Sequence, residues 1–222
     1  MAINLQKGQA IDLRKNDSGE SFDLSIVTIG LGWHVRRKSS GFFGKLFGGS
    51  KEIEYDLDAI AFLLDANGKV ANMGSTVQSQ EGRQVGLSEG DVVFFNSMRH
   101  PSGHIWLTGD HDTRTDGDDE RIVVKLDSLN AKYERIVFLA TIYQGRQKNQ
   151  HFSQIDKAFI RAVDNNGKEI ARFTLSGNSN YDGMCAMVFS EVYRKDGSWF
   201  FKALGEPYPT DNFVELLRSH YS

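Results

Sequence analysis

The sequence lacks several features that would define a class of protein. Its 222 residues include one cysteine, Cys185, which excludes an intramolecular disulfide and favours a reducing compartment. The formal net charge of −3 provides no basic excess, so we predict no nucleic-acid partner. No apolar run approaches the roughly 18 residues of a membrane span, and the N-terminus lacks a signal-peptide pattern. We therefore expect a cytoplasmic protein.

Helical periodicity is also scarce, and there are only 3 prolines against 22 glycines. Short apolar runs alternate with turn signals at the spacing of a β-sandwich, so we predict a mainly β fold with two facing sheets. The predicted strands cover residues 26–31, 59–64, 92–95, 105–107, 122–126, 136–143, 158–163, 170–175, 187–193 and 199–204. Residues 127–134 could form one or two helical turns. A short C-terminal helix is predicted over 211–221, with Asp211 as its cap.

Glycine-containing turns separate these strands. Residues 65–69 and 164–168 both carry Asn-Gly, which predicts type I′ hairpin turns because both residues tolerate positive φ. Residues 101–103 and 196–197 close two further hairpins. We interpret the aspartates of these turns as turn formers rather than as metal ligands.

The two halves of the chain resemble each other. The order of strands and Asn-Gly-Lys turns predicts a single domain over 1–222, built from pseudo-repeats of about 1–109 and 121–210. The copies would form two related, facing sheets; the alternative is the loose similarity of any β-hairpins. The insert 38–50 carries Phe42, Phe43, Leu46 and Phe47 among Gly and Ser. It could contact a partner or a membrane surface, or pack as a loop against the sandwich.

A cluster of acidic residues lies between the two halves. Six of the eleven residues from Asp110 to Glu120 are acidic, and Asp56 and Asp58 share one face at the start of a predicted strand. Crowded carboxylates repel one another, and Ca²⁺, which takes six to eight oxygen ligands, would relieve that repulsion. The candidate calcium ligands are Asp56, Asp58, Asn96, Asp110, Asp118, Asp119 and Glu120. The alternative is a solvated acidic turn.

Other chemistries fit the sequence less well. Mg²⁺ prefers fewer protein carboxylates, and Zn²⁺ would require His or Cys, whereas we interpret His100 and His104 as surface residues. A carboxylate-based hydrolase using the acidic cluster is the alternative function, but no acid lies in an obvious apolar pocket. Redox chemistry would require thiols, and Cys185 lies in an apolar run typical of an inert core residue.

Several blocks in order resemble one known family. These are residues 29–33 (Ile-Gly-Leu-Gly-Trp), 55–59 (Tyr-Asp-Leu-Asp-Ala), 94–96 (Phe-Phe-Asn), 109–110 (Gly-Asp), 117–120 (Gly-Asp-Asp-Glu), 154–161 and 186–189. Together they resemble the TerD family of tellurite-resistance and stress-response proteins. The resemblance implies a calcium-binding β-sandwich without catalytic activity. It also implies partners among other stress- or tellurite-resistance proteins, with membrane association as a further option.

Overall fold

The structure, a computed structural model, describes residues 2–15, 19–35, 55–78, 84–108, 117–177 and 179–222. The strands in this part of the chain are β1 (Ile3–Leu5), β2 (Ala10–Asp12), β3 (Val27–Val35), β4 (Leu57–Leu64), β5 (Ser75–Gln78), β6 (Gln84–Ser88), β7 (Val92–Val93), β8 (Ile105–Thr108), β9 (Glu120–Val124), β10 (Arg135–Ile142), β11 (Ile155–Val163), β12 (Glu169–Ser176), β13 (Ala186–Lys195) and β14 (Ser198–Tyr208). All ten predicted strands are present.

Two six-stranded sheets form the sandwich. Sheet 1 has the order β1-β12-β11-β3-β9-β8, and sheet 2 has the order β2-β14-β13-β10-β4-β7. Strands β5 and β6 form a separate hairpin. The predicted β-sandwich of two facing sheets is therefore confirmed.

Alternation along each strand builds two cores. Leu57, Ala59 and Ala61 of β4 point between the sheets, where they join inward residues of sheet 1 such as Ile29 and Ile122. Ile60, Phe62 and Leu64 point to the other side of β4 and form a second core under the C-terminal helix. Sheet 2 is thus apolar on both faces, which explains the almost uninterrupted apolar run of β4.

The proposed repeats do not each form one sheet. Strand β3 of the first half pairs with β11 of the second half in sheet 1, and β4 pairs with β10 in sheet 2. Each sheet therefore combines strands of both halves. The duplication itself stays a prediction, and the insert 38–50 lies outside the described residues.

The Asn-Gly turns differ from the predicted type I′. Gly68 and Gly167 have positive φ, but Asn67 and Asn166 do not. Type I′ needs both, so that prediction was wrong. Each turn is held by an aspartate instead: Asp65 Oδ1 accepts hydrogen bonds from the Asn67 and Lys69 amides at 2.8 and 3.0 Å. Asp164 holds the second turn in the same way, so the interpretation of these residues as turn formers is confirmed.

Helices are few and short. The described residues contain α1 (Gly145–Lys148), α2 (Phe213–Leu216) with a π-type extension over Leu217–Tyr221, and 3₁₀ turns at Leu126–Ser128, Phe152–Gln154 and Ser179–Tyr181. The C-terminal helix was predicted, but its cap is Asn212, whose Oδ1 accepts from the Val214 amide at 3.1 Å. Asp211 instead accepts a hydrogen bond from the Arg146 amide. None of the described helices is long and apolar enough to cross a membrane.

Candidate functional site: the acidic end of the sandwich

The structure describes the last residues, 117–120, of the acidic segment 110–120. Asp118 among them is buried. Its side chain is 1% exposed and accepts two hydrogen bonds from the guanidinium of Arg161 on β11. Arg161 Nε lies 2.8 Å from Oδ1, and Arg161 Nη2 lies 2.9 Å from Oδ2. Arg121 Nε is a third donor, 3.2 Å from Oδ2. Such bidentate, charge-assisted bonds are among the stronger hydrogen bonds in proteins.

The glycine at position 30 makes room for this carboxylate. Arg121 and Arg161 flank Gly30 on the neighbouring strands β9 and β11, on the outer face of sheet 1. A Cβ atom at Gly30 would lie 2.3 Å from Asp118 Oδ2, which is closer than non-bonded atoms can approach. The Asp118 carboxylate therefore lies directly over the backbone of β3.

The ion pairs continue across sheet 1. Arg161 Nη1 donates to Glu169 Oε2 at 3.0 Å, and Arg172 donates to both Glu169 oxygens at 2.8 and 2.7 Å. Burial by itself raises the pKa of Glu169, but the hydrogen bonds and charges of Arg172 and Arg161 outweigh it, so the pKa of Glu169 is lowered. The hydrogen bond to Asp118 raises the pKa of Arg161. We call these five residues (Asp118, Arg121, Arg161, Glu169 and Arg172) the Asp118 ion-pair network.

Asp119 faces a different environment. It is exposed, its amide donates to the Leu31 carbonyl at 2.8 Å, and its Oδ2 accepts from the Trp33 amide at 2.9 Å. The Trp33 indole Nε1 in turn donates to the carbonyl of Tyr55 at 3.2 Å, immediately before Asp56. Trp33 thus links the end of the acidic segment in sheet 1 to the start of β4 in sheet 2.

The other candidates surround this end of the sandwich. Asp56 is exposed just before β4, and Asp58 is half-buried on the face of β4 that carries Ile60. Asn96 is exposed in the Phe94–Ser97 turn that follows β7, the strand paired with β4. Glu120 is half-buried at the start of β9, opposite Leu31. Asp110 lies outside the described residues.

The predicted ligands are therefore only partly brought together. Asp56, Asp58, Asn96, Asp119 and Glu120 lie at one end of the sandwich, whereas the Asp118 carboxylate lies on the outer face of sheet 1. Within the part of the chain that the structure describes, no three His, Cys, Asp or Glu side chains are grouped to hold a metal ion. Both oxygens of Asp118 accept hydrogen bonds from arginine side chains, and its role as a calcium ligand stays a prediction.

A buried polar network near β7 was missed at the sequence level. Asp91 Oδ1 accepts from the Tyr133 hydroxyl at 2.5 Å and lies 3.1 Å from His100 Nε2. His100 is 5% exposed, so its interpretation as a surface residue was wrong. Burial, together with the hydrogen bond to Asp91 and its charge, raises the pKa of Tyr133. The partners are far apart in the chain, so no local pattern indicated the network.

Ser102 extends this network through His100. Its hydroxyl lies 2.8 Å from His100 Nδ1, but its own amide also donates to Nδ1 at 3.1 Å, and its Oγ accepts from the His104 amide at 3.2 Å. The imidazole therefore closes the turn at residues 100–103. These contacts are those of a turn.

Comparison with known proteins assigns the chain to a family. The profile of the TerD domain matches residues 1–220. The chain belongs to the TerD family. It is 49% identical over 221 residues to the tellurium resistance protein TerX of Serratia marcescens, covering 99% of this chain and 100% of that protein. It is also 35% identical over 223 residues to the stress response protein SCP2 of Bacillus subtilis (strain 168), covering 100% of both.

The fold is shared with a solved TerD structure. A homologue of telluride resistance protein (TerD) from Streptomyces coelicolor A3(2) superposes with a TM-score of 0.53 at 20% identity, over 86% of this chain and 94% of that one. At this identity the likeness extends to the fold alone. The domain profile and the relative in Serratia marcescens confirm the TerD resemblance of the sequence blocks.

Proposed function

We propose that this TerD protein is a calcium-binding, non-enzymatic stress-response protein of the cytoplasm, acting in tellurium resistance through partner proteins. The names of its relatives in Serratia and Bacillus support the biological part of the proposal. The single observation that supports the calcium part is the pair of hydrogen bonds from Trp33, whose amide donates to Asp119 and whose indole donates to the Tyr55 carbonyl. These bonds hold the exposed Asp119 and Asp56 at the same end of the sandwich.

The proposed calcium ligands are oxygens at this end. They come from Asp56, Asp58, Asn96, Asp119 and Glu120, together with Asp110 from the segment between β8 and β9. Bound calcium would neutralise the crowded carboxylates of residues 110–120, which otherwise repel one another. Relief of this repulsion would order the acidic segment and create a surface that partners recognise.

Direct redox chemistry on tellurite receives no support from the only thiol. Cys185 is 3% exposed, and its Sγ donates to the Gln150 carbonyl at 3.3 Å. Burial raises the pKa of Cys185, which reduces the thiolate fraction needed for reaction. A Cys185→Ser variant should therefore confer the same tellurite tolerance on cells as the wild type; lost tolerance in a folded variant would contradict a non-redox role.

Thermal melting tests calcium binding on the full chain. At a calcium concentration a hundredfold above the dissociation constant, binding stabilises the fold by about 2.7 kcal/mol, which is about 5–11 °C for a chain of this size. Asp119→Asn should lose most of this shift. Asp196→Asn is the matched control. It makes the same charge change in the turn between β13 and β14, at the end of the sandwich opposite the proposed ligands. Identical wild-type melting in calcium and in chelator would refute the proposal.

A further inference from the structure

We propose that Asp118 anchors the end of the acidic segment and is not one of its calcium ligands, with Arg161 as the residue that positions it. The part of this inference that concerns calcium rests on the proposed function, whereas the part that concerns anchoring does not. It assigns different roles to two neighbouring aspartates that the sequence alone presents as equivalent.

Arginine side chains already engage the Asp118 carboxylate. Arg161 engages both oxygens of Asp118, and Arg121 adds a third hydrogen bond to Oδ2. A cation that bound these oxygens would have to displace the guanidinium groups or lie beside two positive charges in a poorly solvated site. Asp119 differs because it is exposed and its carboxylate accepts a hydrogen bond from a neutral backbone amide, that of Trp33.

Asp118 and Asp58 lie on opposite outer faces of the sandwich. The Asp118 carboxylate lies over Gly30 on the outer face of sheet 1. Asp58 lies on the face of β4 that carries the second core, under the C-terminal helix. Facing sheets pack about 10 Å apart. Calcium binds oxygens about 2.3–2.6 Å away, so an ion beside Asp118 on the outer face of sheet 1 would be separated from Asp58 by the thickness of the sandwich.

The backbone connects Asp118 directly to two of the proposed calcium ligands. The chain passes from Asp118 directly to Asp119, whose amide bonds Leu31 and whose carboxylate bonds the Trp33 amide. Arg161 is itself held by Glu169, which Arg172 holds in turn. The Asp118 ion-pair network therefore fixes the backbone from which Asp119 and Glu120 extend. Calcium affinity should depend on Arg161 even though Arg161 would not contact the ion.

The experiment compares Asp118→Asn, Asp119→Asn and Arg161→Lys in the full chain. Melting in chelator reports anchoring, and calorimetric titration with calcium chloride reports binding. Asp118→Asn should lower the melting temperature in chelator by about 6–20 °C, because it breaks a buried ion pair. Asp119→Asn should leave it within about 2 °C of the wild type. Arg161→Lys keeps the charge but loses the bidentate geometry, so it should lie between these values.

The calcium titration separates positioning from ligation. Arg161→Lys should first be shown to be folded by circular dichroism. It should bind calcium about tenfold more weakly with unchanged stoichiometry, as expected for a residue that positions the ligands without contacting the ion. The proposal is overturned if Asp118→Asn melts like the wild type in chelator yet loses calcium binding. It is also overturned if Arg161→Lys binds calcium with wild-type affinity. If wild type binds no calcium, the proposed function fails, and melting in chelator alone decides whether Asp118 is an anchor.

Discussion

Replacing Gly30 with alanine should displace Asp118 without removing any charge. The added Cβ would lie 2.3 Å from Oδ2, 2.4 Å from Cγ and 2.6 Å from Oδ1 of Asp118, whereas ordinary contacts begin near 3.4 Å. The neighbours are a carboxylate held by two arginines, so they cannot move away without breaking the ion pairs.

The expected loss follows from the broken pair. Disrupting a buried ion pair costs about 3–5 kcal/mol, and alanine recovers about 0.5–1 kcal/mol relative to glycine in a strand. We therefore expect Gly30→Ala to lower the free energy of unfolding by about 2–4 kcal/mol. Urea denaturation in chelator, followed by tryptophan fluorescence, measures the change.

A matched glycine provides the control. Gly86 also lies in a strand, β6, but a Cβ there would meet only Thr76 Oγ1, at 4.0 Å. Gly86→Ala should leave the free energy of unfolding within about 1 kcal/mol of the wild type. If Gly30→Ala were as stable as Gly86→Ala, Asp118 would not be held over β3, and the reasoning about the ion-pair network would be wrong.

Two further predictions concern the buried polar groups. The lowered pKa of Glu169 means that it contributes stability above its ordinary pKa of 4.5, and that this contribution is lost as the pH falls below that value. Between pH 7 and about pH 3 the melting temperature should therefore fall less steeply in Glu169→Gln than in the wild type. Parallel curves of melting temperature against pH would contradict this. Tyr133→Phe should lower the free energy of unfolding by about 1–3 kcal/mol, because Asp91 then loses a buried donor. A variant as stable as the wild type in urea would show that the hydrogen bond contributes nothing.

The sequence predicted the strands that carry a clear apolar pattern. Runs such as 59–64 and 136–143 are buried on both faces except at Tyr143, and their β-branched and aromatic residues left little ambiguity. The strands β1, β2, β5 and β6 were missed, because they are only three to five residues long and most of their residues are half-buried or exposed. The pairing of β1 with β12 and of β2 with β14 also depends on neighbours distant in the chain, which no short window contains.

The candidate site was predictable in composition but not in partners. The sequence marked Asp118 and Asp119 as one acidic pair, yet one lies under Arg161 and the other faces solvent. Arg161 is 43 residues away from Asp118, and only the pairing of β11 with β3 brings the two together. The Gly-Leu-Gly pattern at 30–32 was the available signal, since a glycine inside a strand often marks the close approach of another group.

The most direct test of calcium binding is an isothermal titration of the full wild-type chain with calcium chloride, with magnesium chloride as the control. The proposed site predicts a saturable calcium isotherm that persists in excess magnesium and is strongly weakened in Asp56→Asn and Asp119→Asn. A titration that gives only the heat of dilution for calcium, or equal binding of both ions, would contradict it.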